Sequence, residues 1–447
     1  MGENELPVVV VGAGPAGLAA AAHLVERGVT PLVLEAGAVA GANVRQWRQV
    51  RLFSRWAELI DPAAEKLLAP TGWRAPAADG YPTGAQWARD YLQPLADVLG
   101  DRVRFDARVV GVARQGRDRV VDAGRDTEPL TVHVESPRGE ERITARAVVD
   151  ASGTWSTPNP LGGDGLPAVG EKAAAAHITY QVPDLDDPVV RARYAGKRIA
   201  VAGSGHSALT ALVGFAKLAE LEPGTHVVWL LRRGQVGSTF GGGDADQLPA
   251  RGALGQRAEA AVQAGHISTV TGFRTATVEQ VSEGVVLTSL DGRRLDPVAE
   301  VVTLTGFRPD LSWLSEVRLD LDPTLQAPRA LAPLIDPNVH SCGTVYPHCA
   351  AELIQPEPGF YLVGMKSYGR APTFLALTGY EQVRSVVAAI AGDHEAAGRV
   401  ELVLPETGVC GGAGVFDDTS SSAAAEQGGC CGTPASVDIS IGVGATR

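Results

Sequence analysis

The chain has 447 residues, 45% of them hydrophobic and 20% charged, with 39 Lys and Arg against 51 Asp and Glu and a formal net charge of −12. That is apolar material for about three domain-sized units at roughly 150 residues each, which excludes a disordered chain. The acidic balance argues against a binder of phosphate backbones, so no nucleic-acid partner is expected. The five cysteines fall late in the chain and cannot all pair, which argues against a secreted disulfide framework. The apolar start, Leu6 to Val11, runs into glycines, lacks a basic flank and is too short to span a bilayer. The expectation is a soluble, cytoplasmic protein with no membrane partner.

In chain order, the run Pro7 to Val11 reads as a buried strand passing into Gly12-Ala-Gly-Pro-Ala-Gly17. A helical stretch to Arg27-Gly28 and a second strand, Thr30 to Glu35, complete a βαβ unit. Residues 45–100 read as mixed helix and loop, and alternating runs such as Val103–Val112 and Leu130–Val134 as a β-meander. Ala147–Asp150 is a buried strand ending in Ala151-Ser-Gly153, and the Pro/Gly-rich passage Ser156–Gly165 reads as a linker. A second βαβ unit follows: strand Lys197–Ala202, turn Gly203-Ser-Gly-His-Ser-Ala208, helix to about Leu221, strand His226–Leu231. Val301–Gly306 and Phe360–Gly364 are further strands, and Thr373–Ala391 has helical periodicity. From about Pro405 the chain turns to Gly, Ser, Ala and Cys, the composition of a flexible tail.

Each turn sits where a dinucleotide would be held. Gly12 allows the tight turn, Gly14 lets the backbone approach a pyrophosphate, and Gly17 permits close helix–sheet packing. The helix N-terminus offers unpaired N–H groups to the phosphates. Glu35, at the end of the second strand, is placed to hydrogen-bond a ribose diol. In the second turn Gly203 and Gly205 take the first two roles, and Ala208 stands at the third, which accepts Ala. Its second strand ends in Arg232-Arg233 instead of an acid. A guanidinium pairs with a 2′-phosphate that a carboxylate would repel, so NADPH is expected over NADH. His206, inside this turn, reads as a surface residue at a variable position.

Two dinucleotide-binding units, Ala151-Ser-Gly-Thr154 between them and Leu304-Thr-Gly-Phe-Arg-Pro-Asp310 after the second resemble the two-domain flavoproteins, and within these the flavin-containing monooxygenases. The resemblance covers roughly residues 7–395. It implies an α/β fold of two Rossmann-like domains, with an NADPH domain (157–305) inserted between the two parts of an FAD domain (1–156 and 306–395), and a Cys/Gly-rich tail over 396–447. It implies that Trp47 and Arg51-Leu-Phe-Ser54 run past the flavin, that the backbone of Val109 meets the adenine, and that Ala151, Gly153, Gly364 and Thr378-Gly379 line the FAD. The chain departs from the family at Glu171 and Ala173, where the pattern F-x-G-x-x-x-H has Phe and Gly; only His177 remains, with Tyr180 nearby. It departs again after Gly364, where Met365 and Lys366 replace an aspartate found in many flavoproteins.

The cysteines form two groups. Cys410, Cys430 and Cys431 lie among glycines, and three thiolates suit a pyramidal trivalent metalloid better than tetrahedral zinc; the other open reading is an incidental low-complexity tail. Cys342 and Cys349 lie close to His340 and His348. Histidines lower a thiol pKa and make it reactive, which nominates Cys342 as catalytic; two buried structural cysteines are the alternative. This stretch with the tail resembles flavin monooxygenases of bacterial arsenic-resistance clusters. The resemblance implies that NADPH reduces the flavin, O₂ is activated, and one oxygen passes to a small soft nucleophile such as a trivalent arsenical. A flavin-dependent disulfide or metalloid reductase, and a metalloid-binding protein on a flavoprotein scaffold, are the rival expectations.

Overall fold

The computed structural model describes residues 6–246, 248–339, 348–372 and 374–402. Its strands, in chain order, are β1 (Val8–Val11), β2 (Pro31–Leu34), β3 (Val103–Arg104), β4 (Arg108–Arg114), β5 (Leu130–Ser136), β6 (Gly139–Ala145), β7 (Ala147–Asp150), β8 (Ile178–Thr179), β9 (Arg198–Ala202), β10 (His226–Leu230), β11 (Ile267–Val270), β12 (Thr275–Val281), β13 (Gly284–Ser289), β14 (Glu300–Thr303) and β15 (Phe360–Leu362). They form two parallel five-stranded sheets, ordered β15-β7-β1-β2-β3 and β11-β10-β9-β14-β8. The first sheet takes its outer strand, β15, from beyond the whole of the second. The α/β reading with one unit set inside the other is therefore correct.

The uninterrupted valines of β1 follow from burial on both faces, as parallel sheets require. Val8 and Val10 pack under the helices Pro15–Glu26, Pro62–Leu68 and Ala376–Ile390, while Val9 and Val11 face the β4–β5–β6 meander. The second sheet repeats this arrangement. Ile199 and Val201 meet the helix His206–Leu221, and Ala200 and Ala202 meet the β12–β13 hairpin. The passage Ser156–Gly165 is not a loose linker. Pro158 pairs antiparallel with Phe307, Asn159 exchanges hydrogen bonds with Thr305, and Arg308 Nε donates to Asn159 Oδ1 at 2.7 Å. The two crossings between the units thus form one stitched pair, with Trp155 stacked on Phe307 at 4.6 Å. Among the described residues no helix is long and apolar enough to cross a membrane.

Candidate functional site

Ligands in open parallel sheets bind outside the carboxyl ends of the strands, where the connections diverge to opposite sides. In the first sheet that point lies between β1 and β7. Gly12 has φ +99°, and a Cβ there would lie 3.0 Å from the Ala151 carbonyl oxygen, so the two strand ends touch through a glycine. A Cβ at Gly17 would collide with the Gly12 carbonyl. A Cβ at Gly14 would meet nothing within 4 Å. The three glycines thus divide the work: two close the turn, and the third faces open space at the start of the Pro15–Glu26 helix. Glu35 holds the turn from the side, accepting from Ala13 N at 2.7 Å and Gly37 N at 2.8 Å. Burial raises its pKa, against the pull of those two amides and the Arg108 charge.

Gly364 (φ +65°) closes onto Ala16 in this turn, Gly379 lies against the Phe374 ring, and Thr378 lies buried beside Gly379 in the first turn of the Ala376–Ile390 helix. Gln382, fully buried, accepts from Gly364 N at 2.7 Å. Its amide nitrogen donates to Ser367 Oγ and to His348 Nε2. Val109 lies in β4 opposite Val134, beside a bulge, with its side chain in the core. Next to it, Ala107 N donates to the Glu35 carbonyl. Trp47 packs its ring against Gly84, where a Cβ would approach to 2.7 Å, and its ring centre lies 6.5 Å from that of Trp87.

The second turn is a variation. A Cβ at Gly203 (φ +133°) would strike the Leu304 carbonyl, and one at Gly205 would meet nothing within 4 Å. The Gly203 carbonyl accepts from Trp229 Nε1 at 2.7 Å, whereas its counterpart at Gly12 occupies the space a Cβ at Gly17 would need. That is the physical reason Ala208 fits the third position here and alanine would not fit at 17. Arg232 and Arg233 follow β10. Protein packed around the Arg232 guanidinium, and then the like charges of Arg233 and Arg274, lower its pKa, although the residue as a whole is solvent-exposed. Arg274 escaped the sequence reading because it is 41 positions further on, since 274 − 233 = 41. Like charges crowd together stably when an anion neutralises them. Replacing Arg232 and Arg233 by Ala is expected to raise KM for NADPH at least about tenfold and leave that for NADH nearly unchanged; parallel steady-state titrations of both nucleotides check this.

Several expectations need correction. His206 is no surface residue. It is half-buried, edge-on to Phe53 at 5.3 Å, in the field of the buried Asp246–Arg251 pair. Burial, and then the Arg251 charge, push its pKa down to about 4, against the opposing pull of Asp246. A histidine with a lowered folded pKa contributes fully above its ordinary value of 6.5 and loses that contribution as pH falls towards 4. The loss amounts to about 2–3 kcal/mol, so His206→Asn should flatten the fall in Tm across that window. Glu171 is not a failed copy of a nucleotide-gripping Phe. It is buried and accepts from Leu161 N, Ala168 N and the Tyr180 hydroxyl, bracing the loop between them. His177 Nδ1 lies 2.9 Å from the Ala299 carbonyl.

Cys349 is not activated. It caps the Ala350–Leu353 helix, and burial together with Glu352 and Glu381 raises its pKa. Cys342 and the tail cysteines Cys410, Cys430 and Cys431 lie outside the described residues.

The segment Gln46–Phe53, from the first unit, reaches across to the second. Arg48 pairs with Asp184 at 3.2 Å, Gln49 Nε2 donates to the Val182 carbonyl, and Phe53 meets His206.

The profile of the family described as pyridine nucleotide-disulphide oxidoreductase matches residues 9–329. The indole-3-pyruvate monooxygenase YUCCA1 of Oryza sativa subsp. japonica is 32% identical over 202 residues, 45% of this chain; the chain spans only 43% of that relative's length. Among solved structures, the bacillithiol disulfide reductase of Bacillus cereus superposes with TM-score 0.64 at 19% identity, covering 87% of this chain and 99% of that one. The flavin-containing monooxygenase of Stenotrophomonas maltophilia does so with TM-score 0.52 at 22% identity, covering 87% and 98%. The fold is that of these proteins, and the chain belongs to the pyridine nucleotide-disulphide oxidoreductase family.

Proposed function

We propose that the chain is an NADPH-consuming monooxygenase that transfers one oxygen atom to a soft nucleophile, a trivalent arsenical before others. The cofactors are FAD and NADPH. The reading rests on the two cradles, each with an open glycine at the start of its helix. Their residues fit the cofactors. Gly14 leaves room for a pyrophosphate at a helix N-terminus. Glu35, with an amide on each oxygen, retains lone pairs for ribose hydroxyls. Bound there, FAD supplies hydride acceptance and the activation of O₂.

The chain's own residues bind, orient and exclude. Arg232, Arg233 and Arg274 read the 2′-phosphate, and Gly205 admits the second pyrophosphate. Phe53 and a neutral His206 pack edge-on at the second turn and keep water from it. Trp47 and Val109 fix the Gln46–Phe53 segment and the meander that flank the flavin and the adenine. The choice of oxygen over a dithiol as acceptor is supported by Cys349, a capping thiol with a raised pKa and a poor electron relay. It is also supported by the sequence relative, itself a monooxygenase. The arsenical is favoured by the three glycine-flanked thiols Cys410, Cys430 and Cys431, which suit capture of a trivalent metalloid. The test is NADPH oxidation by the purified chain against arsenite, methylarsenite, antimonite, organic sulfides and low-molecular-weight disulfides. Acceleration by a trivalent arsenical in air is expected. Acceleration by a disulfide without O₂ would make the chain a reductase.

A further inference from the structure

The least expected charges in the molecule lie under the first cradle. Asp150 ends β7 and Lys366 follows β15, and both side chains are fully buried. The Lys366 Nζ approaches Asp150 Oδ2 to 2.7 Å. This approach lies outside hydrogen-bond alignment, so the link is one of charge more than of direction. The same ammonium donates to Ser152 Oγ at 3.1 Å and lies 4.4 Å from the centre of the Trp313 ring. Asp150 Oδ1 accepts from Ser152 N at 3.0 Å and from Ser152 Oγ at 2.6 Å.

Ser152 therefore has its backbone amide and its hydroxyl fixed by the pair. Its Cα lies 3.2 Å from where a Cβ at Gly12 would stand, so Ser152 forms the floor against which the Gly12 turn rests. From the other end, Lys366 belongs to the turn Gly364–Tyr368, whose Gly364 closes onto Ala16. One ion pair thus links the ends of β7 and β15, and through Ser152 and Gly364 it touches the dinucleotide turn from two sides. Burying two charges needs a return, because apolar residues would pack there at no desolvation penalty. The β7 and β15 strands already pair in register, so the sheet does not require the link.

We propose that Asp150 and Lys366 are positioning residues for FAD: through Ser152 and the Gly364 turn, their mutual attraction sets the spacing of the cradle, in a chain that has no carboxylate directly after Gly364. The inference rests on the first unit being the FAD site. Neither residue contacts the reacting atoms, and both act through the backbone they fix.

The test compares the full chain with Lys366→Met, Asp150→Asn and the double variant that is neutral at both positions. Three quantities are read: flavin-to-protein ratio as purified, Tm of the flavin-stripped protein, and Kd for added FAD by flavin fluorescence quenching. Each single variant leaves one buried charge unmatched and should lower the Tm of the stripped protein. The double variant should recover most of that Tm, yet bind FAD at least about tenfold more weakly than the unaltered chain. A double variant with unaltered Kd would show that the pair serves folding alone and overturn the proposal. An unaltered chain that neither carries nor binds FAD would instead remove the FAD assignment on which the proposal rests.

Discussion

Glu357→Gln is expected to destabilise the protein by about 3–5 kcal/mol, the scale for removing one partner from a buried ionic cluster. Glu357 is fully buried and serves four donors. Its Oε1 accepts from Arg114 Nε at 3.0 Å and Nη2 at 2.7 Å, and its Oε2 from Arg125 Nη2 at 3.1 Å and Arg318 N at 3.2 Å. Both guanidiniums are themselves 4% exposed. Glutamine keeps the shape but leaves two buried cations with no counter-charge, and its NH₂ faces donors where an acceptor is required. The cluster fastens the end of β4 and the loop after it to the residues leading into β15. Its loss should therefore loosen the strand that carries the Gly364 turn. Thermal unfolding checks this, with a fall in Tm of about 3–5 °C. Glu357→Gln with an unchanged Tm would mean that water or a shifted neighbour replaces the charge.

Gly14→Val and Gly17→Ala should both yield colourless protein, but for different reasons that one experiment separates. Gly14 has an ordinary φ of −82° and open space where its side chain would point. Valine there leaves the turn intact and occupies the place of the pyrophosphate, so the flavin-free protein should keep its Tm while flavin binding falls by two orders of magnitude or more, roughly the effect of about 3 kcal/mol. At Gly17 the added methyl collides with the Gly12 carbonyl inside the turn. Overpacking of this kind costs typically about 1–3 kcal/mol, so Gly17→Ala should lower the Tm of the flavin-free protein as well. Flavin-to-protein ratio and Tm, measured together, give the two-by-two outcome. Full flavin retention in Gly14→Val would place the flavin elsewhere.

Local pattern carried much of the architecture. The valine run of β1 and the glycine spacing of both turns are contained in short windows, because a strand–turn–helix unit is built from neighbours in sequence. The placement of Glu35 beside the first turn was readable for the same reason. Contacts that join distant strands were not readable. Arg114 and Glu357 are 243 positions apart, and Asp150 and Lys366 are 216 apart by subtraction, 366 − 150. No periodicity records such pairs. Lys366 was visible only as a missing aspartate, and Asp150 only as a strand end. His206 was misjudged because burial is a tertiary property. A polar residue in a turn looks solvated until another element, here Phe53, closes over it. Arg274 joined Arg232 and Arg233 only because β12 follows a loop back to the end of β10.

The measurement closest to the central claim is the stoichiometry of NADPH, O₂ and product for the purified full chain, with an oxygen electrode and ¹⁸O₂ on a trivalent arsenical. A monooxygenase consumes one O₂ per NADPH and places one labelled oxygen in the pentavalent product, with little hydrogen peroxide released. NADPH consumption that continues undiminished without O₂, or that returns all of its oxygen as peroxide with the arsenical unchanged, would contradict the account.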